Sequence, residues 1–208
     1  MVLAPGYAPL SFTAPEPGSY ALPAMGSAAD GAVIDSEGNS AKLHDFLGDK
    51  PTVLSFIFTT CDDVNGCPLA TYVMRSVQDA LRADPATADK ARLVSFSFDP
   101  VFDTPDVIDA YGSQFRAGDF DWQFLTTEGA TTLDPILNAY GQWVIRDYDE
   151  NGEYMGTMSH ILRVFLIDES RQIRNIYSTS FLHADTVAND VRSLLMEATA
   201  ATSADTGS

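Results

Sequence analysis

The sequence predicts an α/β fold, and three observations carry that prediction. Two stretches, "TVLSFIF" (52–58) and "RLVSFSFD" (92–99), are almost wholly apolar and rich in β-formers, as strands buried on both faces are. Each is followed by a helical pattern. Leu69, Val73, Val77 and Leu81 recur every four residues after the first, and Val107, Ile108, Tyr111 and Phe115 form one stripe after the second. The chain then closes with two short strand patterns and an amphipathic helix.

In chain order, "MVLAPGYAPLSFTAPEPGSYALPAMGSAA" (1–29) is rich in Pro, Ala, Gly and Ser and predicts a tether or irregular strap rather than packed structure. "AVID" and "AKLHDF" flank the turn signal "SEGN" and predict a β-hairpin over 32–46. The first buried strand follows, and Pro68 opens the first helix. Thr104-Pro105, an N-cap with proline at N1, opens the second helix after the second buried strand. "WQFLT" predicts a short strand at best, and 131–140 a short helix disturbed by Pro135. A polar, aromatic excursion, "GQWVIRDYDENGEYMGTMSH", contains the hairpin-like turn "DENG". "ILRVFLID" and "QIRNIYS" are strands joined by "ESR", and "HADTVANDVRSLLMEA" is the closing helix.

This order, β-α-β-α, an excursion, then β-β-α, is that of the thioredoxin fold. The expected α/β architecture is thus thioredoxin-like, with an N-terminal β-hairpin and an excursion inserted before the third core strand. The domain is expected over 30–198, and 199–208 as a disordered tail.

Composition narrows the functions. With 45% hydrophobic residues and 208 positions, one domain can bury a sizeable core without staples. Twelve basic against 29 acidic residues give a formal charge of −17, which argues against nucleic-acid backbones and anionic membrane surfaces. The same sign suits a basic partner, high solubility or a salty habitat. No run approaches the roughly 18 apolar residues of a spanning helix, and no basic and apolar leader opens the chain. A signal or anchor ahead of the strap is one expectation.

Cys61 and Cys67 are the only cysteines. Cys61 falls just past the first buried strand and Cys67 just before the first helix. That is the carboxyl edge of the parallel strands, where α/β sheets gather ligands. With Pro68 at N1, Cys67 is the expected N-cap, its sulfur facing the positive end of the helix dipole, which favours thiolate. Asn65-Gly66 is a turn pair that lets the loop fold back and bring both sulfurs together. Asp62 and Asp63 oppose thiolate formation and favour a cation. A structural disulfide is the bland alternative, but closing so short a loop removes little entropy from the unfolded chain. The pair reads as chemical, either a redox couple or two metal ligands.

Of three histidines, His160 stands at the start of "ILRVFLID". If that strand runs antiparallel beside "TVLSFIF", its beginning lies next to the cysteine loop. A lone histidine at a strand end is otherwise a surface or capping residue. His44 and His183 are expected to be structural or exposed. Asp99 and Asp103, in "FDPVFDTP", fall near the same edge, with turn and helix-cap chemistry as the expectation. Met155 and Met158 are weak candidates, because methionine near a site is more often packing.

Together "FIFTTC…CP", "VSFSFDPVFDTPDVIDAYG", "DWQFLT" and "SHILRVFLID" resemble the Sco/SenC family of copper-binding, thioredoxin-fold proteins, over roughly 32–198. The resemblance implies an extracytoplasmic protein, periplasmic or membrane-tethered, that binds one copper, Cu(I) or Cu(II), through Cys61, Cys67 and His160. It also implies a copper-receiving partner such as a cytochrome oxidase subunit, whose dinuclear copper centre the family assembles, and a thiol reductant as a further partner. The family's usual pair is C-x-x-x-C; here five residues intervene, two more.

Two classes stay open and a third has less support. A metallochaperone would use two thiolates and an imidazole as a soft copper site. A thiol-disulfide oxidoreductase would cycle Cys61 and Cys67. A peroxide-handling enzyme would need a threonine-rich pocket with an arginine around one cysteine, and "TTC" is too little of one.

Overall fold

The computed structural model describes residues 2–205, with side chains at 156 and 201–205 outside the description. Three parallel strands, β3 (Thr52–Ile57), β4 (Arg92–Ser97) and β5 (Trp122–Thr126), form the middle of a seven-stranded sheet. The hairpin β1 (Ala32–Asp35) and β2 (Ser40–Lys42) extends the β5 edge, and β8 (Arg163–Ile167) and β9 (Ile173–Ser178) extend the β3 edge, all antiparallel. "WQFLT" is therefore a full central strand, and 43–46 a 3-10 turn rather than the end of a strand.

The helices are α1 (Cys67–Arg82), α2 (Pro105–Gly112), α3 (Ala130–Ala139) and α4 (Ala184–Asp205). Ser55, Ser95 and Phe124 are register partners, as are Phe56, Phe96 and Leu125, so the two rows point to opposite faces of the sheet. Phe124 lies under Gly112 of α2, where a Cβ would come within 2.6 Å of its ring. Helix α2 in turn meets α1 through the Thr71 and Tyr111 hydroxyls, 2.8 Å apart. Phe56 instead packs on Tyr140, which caps α3, at 5.3 Å between ring centroids. Both faces are thus covered, and every residue of β3 is buried. This is the thioredoxin-like arrangement that the element order predicts.

The four-residue repeat of α1 is its core face: Leu69, Val73, Val77 and Leu81 are each 0% exposed. Between sheet and α2, the buried Trp122 Nε1 donates to Ser95 Oγ at 3.1 Å. Ser95→Ala leaves that donor unpaired and is expected to cost about 1–3 kcal/mol in urea unfolding, with an unchanged denaturant slope.

The excursion is a separate two-stranded sheet, β6 (Val144–Tyr148) with β7 (Tyr154–His160). His160 thus ends β7 instead of starting the core strand β8. Helix α4 continues through 199–205, where a tail is expected; Ala-rich sequence suits a helix, and 206–208 lie outside the described residues. Residues 2–29 hold one 3-10 turn, Pro5–Tyr7, and no longer helix, and they lie against the domain. Met25 N–H and Ala28 N–H donate to Ile173 and Arg171 carbonyls at 2.8 Å, and Tyr20 hydroxyl donates to the buried Asp190 at 2.6 Å.

Candidate metal centre

Strand β3 ends at Ile57, and the chain turns through Thr59 and Thr60 to Cys61, whose N–H donates to the Phe58 carbonyl at 3.3 Å. The turn is held from below by Asp103, which is fully buried. Its carboxylate accepts the Thr59 N–H at 3.0 Å, the Thr59 hydroxyl, and the Ser97 hydroxyl at 2.5 Å. The sequence suggests turn and helix-cap chemistry for Asp103; Thr104 is the N-cap of α2, as its Thr-Pro signal predicts, and makes no side-chain cap bond. Asp103 braces the strand end beside the cysteines instead. Asp99 is also buried, and burial followed by the nearby Asp103 charge holds its carboxyl above the usual range.

The N-cap of α1 is Gly66, one residue earlier than the sequence suggests, which places Cys67 in the first turn. Its sulfur does not cap the helix. It accepts the Phe58 N–H at 3.4 Å and lies 3.5 Å from His160 Nε2. Cys67 is buried and Cys61 half-buried, both as free thiols. The two sulfurs and a ring nitrogen of His160 all lie within 4.8 Å of one another. Antiparallel pairing of β8 with β3 brings the preceding β7 alongside the cysteine turn, because Val164 is opposite Ser55 near the end of β3.

The His160 ring is clamped between Phe98, at 4.9 Å between centroids, and Phe58, edge-on at 5.9 Å. Those two phenylalanines follow the parallel strands, and a period-two pattern marks them only as core. Above the donors opens a cleft of ≈ 370 Å³ whose lining includes Asp62, Asp63 and Met158. Met158 is buried at the cleft and Met155 is exposed outside it. The remaining histidines are structural. His44 donates from Nε2 to the Ala28 carbonyl at 3.0 Å, and His183 from Nε2 to the Ala8 carbonyl at 2.8 Å.

The thiols differ sharply. A hydrogen bond from the Cys67 thiol, opposed by burial and aided by one from His160, brings the Cys61 pKa down to about 5. Burial, then the neighbouring Cys61, pushes Cys67 well up. The pair therefore gives up one proton readily and holds the second, and the thiolate resides on Cys61. This reverses the expectation that the helix N-terminus makes Cys67 the thiolate: desolvation of a buried sulfur outweighs the dipole.

A family model described as SCO1/SenC matches residues 28–196. The SCO1 protein homolog of Bacillus subtilis (strain 168) is 29% identical over 92 residues, 44% of this chain and 45% of that protein. The match thus spans less than half of that relative's length. Among solved structures, Arabidopsis thaliana ScoI with copper bound is similar at 20% identity and a TM-score of 0.68, over 84% of this chain and 99% of that one. Apo Sco1 from Thermus thermophilus aligns at 26% identity and a TM-score of 0.66, over 85% and 95% of the respective chains. With the family pattern running through hairpin, cysteine turn, β7 and α4, the chain belongs to the SCO1/SenC family.

Proposed function

We propose that the protein is a copper metallochaperone that holds one ion as cargo between Cys61, Cys67 and His160 and passes it to a copper site such as that of a cytochrome oxidase. The observation that carries this reading is the convergence of two sulfurs and one imidazole nitrogen within 4.8 Å at the sheet edge. Two thiolates with an imidazole suit Cu(I) and also Cu(II), whereas zinc normally wants a fourth ligand. Family membership and the copper-bound ScoI of Arabidopsis thaliana support the same cargo. Membership of the family supports a location outside the cytoplasm as part of this reading; among the described residues, no helix is long and apolar enough to cross a membrane.

The residues divide the work. Cys61, half-exposed and deprotonated near neutrality, meets the incoming ion first. Cys67 must then release its proton, and His160 must present a lone pair from the nitrogen that faces the sulfurs, so binding liberates protons. The Phe58 and Phe98 rings keep the imidazole in place.

A second reading rests on the asymmetry of the thiols. An accessible Cys61 thiolate with a buried thiol beside it can attack a substrate disulfide sulfur, expelling one substrate thiolate. Cys67, once deprotonated, then attacks the mixed disulfide at the Cys61 sulfur. The products are a Cys61–Cys67 disulfide and a reduced dithiol.

Reduced protein given one equivalent of Cu(II) is expected to form a 1:1 complex with a thiolate-to-copper charge-transfer band, and to prefer copper in competition with zinc. Freshly reduced protein that retains neither metal would remove the chaperone reading and leave the thiol chemistry in front.

A further inference from the structure

The loop between the cysteines is bound from outside itself. Asn65 Oδ1 accepts the Ala4 N–H at 2.7 Å, and Asn65 Nδ2 donates to the Val2 carbonyl at 3.0 Å. One side-chain amide thus pairs with the strap backbone through both of its polar atoms. The Tyr7 hydroxyl donates to the Val64 carbonyl at 2.5 Å, and its ring lies 4.9 Å from that of Tyr72 on α1. Both loop residues that take the strap lie between Cys61 and Cys67.

The strap is seated closely at this point. Gly6 is buried, and a Cβ there would meet the Leu182 carbonyl oxygen at 2.2 Å, with Val73 and Leu69 side chains at 3.1 and 3.2 Å. Only glycine lets the strap backbone come this near to the Leu182 carbonyl while it packs on α1. His183 holds the next turn of the strap through the Ala8 carbonyl.

The loop's own bonds are local: Gly66 N–H to the Asp63 carbonyl at 2.8 Å and Asn65 N–H to Asp63 Oδ1 at 3.1 Å. They shape a turn without tying it to the domain. A loop with five residues between its cysteines has more conformations to lose than one with three, and an outside anchor offsets that ordering cost.

We propose that residues 2–8 are a latch on the inter-cysteine loop, and that Asn65 is the positioning residue through which docking of the strap sets the approach of Cys61 to Cys67. The strap is then part of the metal centre's support. Displacing it, by a partner or by tension on the segment, loosens the loop and speeds departure of the ion. The last step rests on the copper reading; the mechanical coupling does not.

The test is hydrogen exchange with mass-spectrometric readout on the metal-free, reduced full chain, followed by transfer of bound copper to a competing Cu(I) chelator. Asn65→Ala removes the paired amide, Gly6→Ala forces the strap off α1, and Asn189→Ala breaks a strap contact remote from the loop, the bond to the Pro15 carbonyl. Loss of the two Asn65 bonds is expected to raise exchange in 62–66 about tenfold and to speed copper transfer by a similar factor. Gly6→Ala is expected to match it, and Asn189→Ala to leave the loop as in the unaltered protein. Unchanged loop exchange in Asn65→Ala overturns the latch, as does an equal rise in Asn189→Ala. Asn65→Ala trims a half-buried side chain, so its result stands even if Gly6→Ala unfolds. If the unaltered protein retains no copper, the copper reading fails while the exchange result still decides the latch.

Discussion

His160→Ala is expected to weaken copper binding by about a hundredfold or more while leaving the fold intact. Four-ligand structural sites in small peptides are worth roughly 10–16 kcal/mol, so one ligand carries on the order of 3 kcal/mol, a factor of about a hundred. The ring is gripped by Phe58 and Phe98, which hold its nitrogen beside the Cys67 sulfur. Cys61→Ser and Cys67→Ser are expected to lose at least as much, because an alkoxide is not available near neutrality and a hydroxyl is a poor ligand for Cu(I). The same three variants separate the two readings of the site. If disulfide exchange is the main activity, His160→Ala leaves reduction of a dithiol substrate largely intact while either serine variant abolishes it. If metal delivery is the activity, the histidine variant falls nearly as far as the cysteine ones. Competition with a Cu(I) chelator and turnover on a disulfide substrate, measured on one set of proteins, read both outcomes.

Alkylation of the reduced, metal-free protein is expected to fall almost wholly on Cys61, with a pH midpoint near 5 in place of the ordinary thiol's 9.0. At pH 6 an ordinary thiol is almost wholly protonated and Cys61 largely ionised, but a weaker base is a weaker nucleophile, so the gain in rate is much smaller than the gain in thiolate. The distinguishing feature is the profile: flat from about pH 6 upward, where a free thiol still climbs. Cys67→Ala removes the hydrogen-bond donor that is the largest cause of the lowered pKa and is expected to move the midpoint toward the ordinary value. Stability follows by linkage. A depressed folded-state pKa contributes stability that is complete above the unfolded value and lost as pH falls through the folded one, so the Cys61 contribution fades between about pH 9 and 5. Cys67 acts in the opposite sense: its raised pKa removes stability as pH climbs above the unfolded thiol range. Urea unfolding of reduced protein at pH 5.5 and 8, with Cys61→Ser alongside, checks the first sign; the serine variant should show the smaller difference.

Much of the fold is legible because its periods are local. Leu69, Val73, Val77 and Leu81 mark α1 without reference to any other segment, and the apolar run of β3 implies cover on both of its faces. "WQFLT" is less legible, since five residues cannot declare themselves central rather than edge. His160 shows the same limit. Its side chain reaches the cysteines from the end of β7, a strand of the excursion's own sheet, and the pattern of β8 pointed to the right neighbourhood through the wrong element.

What the sequence by itself determined is the order of elements and the two thiols at the carboxyl edge of the sheet, since these follow from spacing along the chain; His160 is a candidate only through the expected strand order. Only the tertiary structure decided how these residues act. It buried Cys67 and so left the thiolate on Cys61, because desolvation depends on what packs around a sulfur and not on which residue precedes a proline. It turned Asp103 inward to hold Thr59, and it brought Val2 and Ala4 to Asn65 across more than sixty positions of chain. Contacts of that separation cannot be read from local pattern, because the free energy that selects them comes from closing the whole domain around its core.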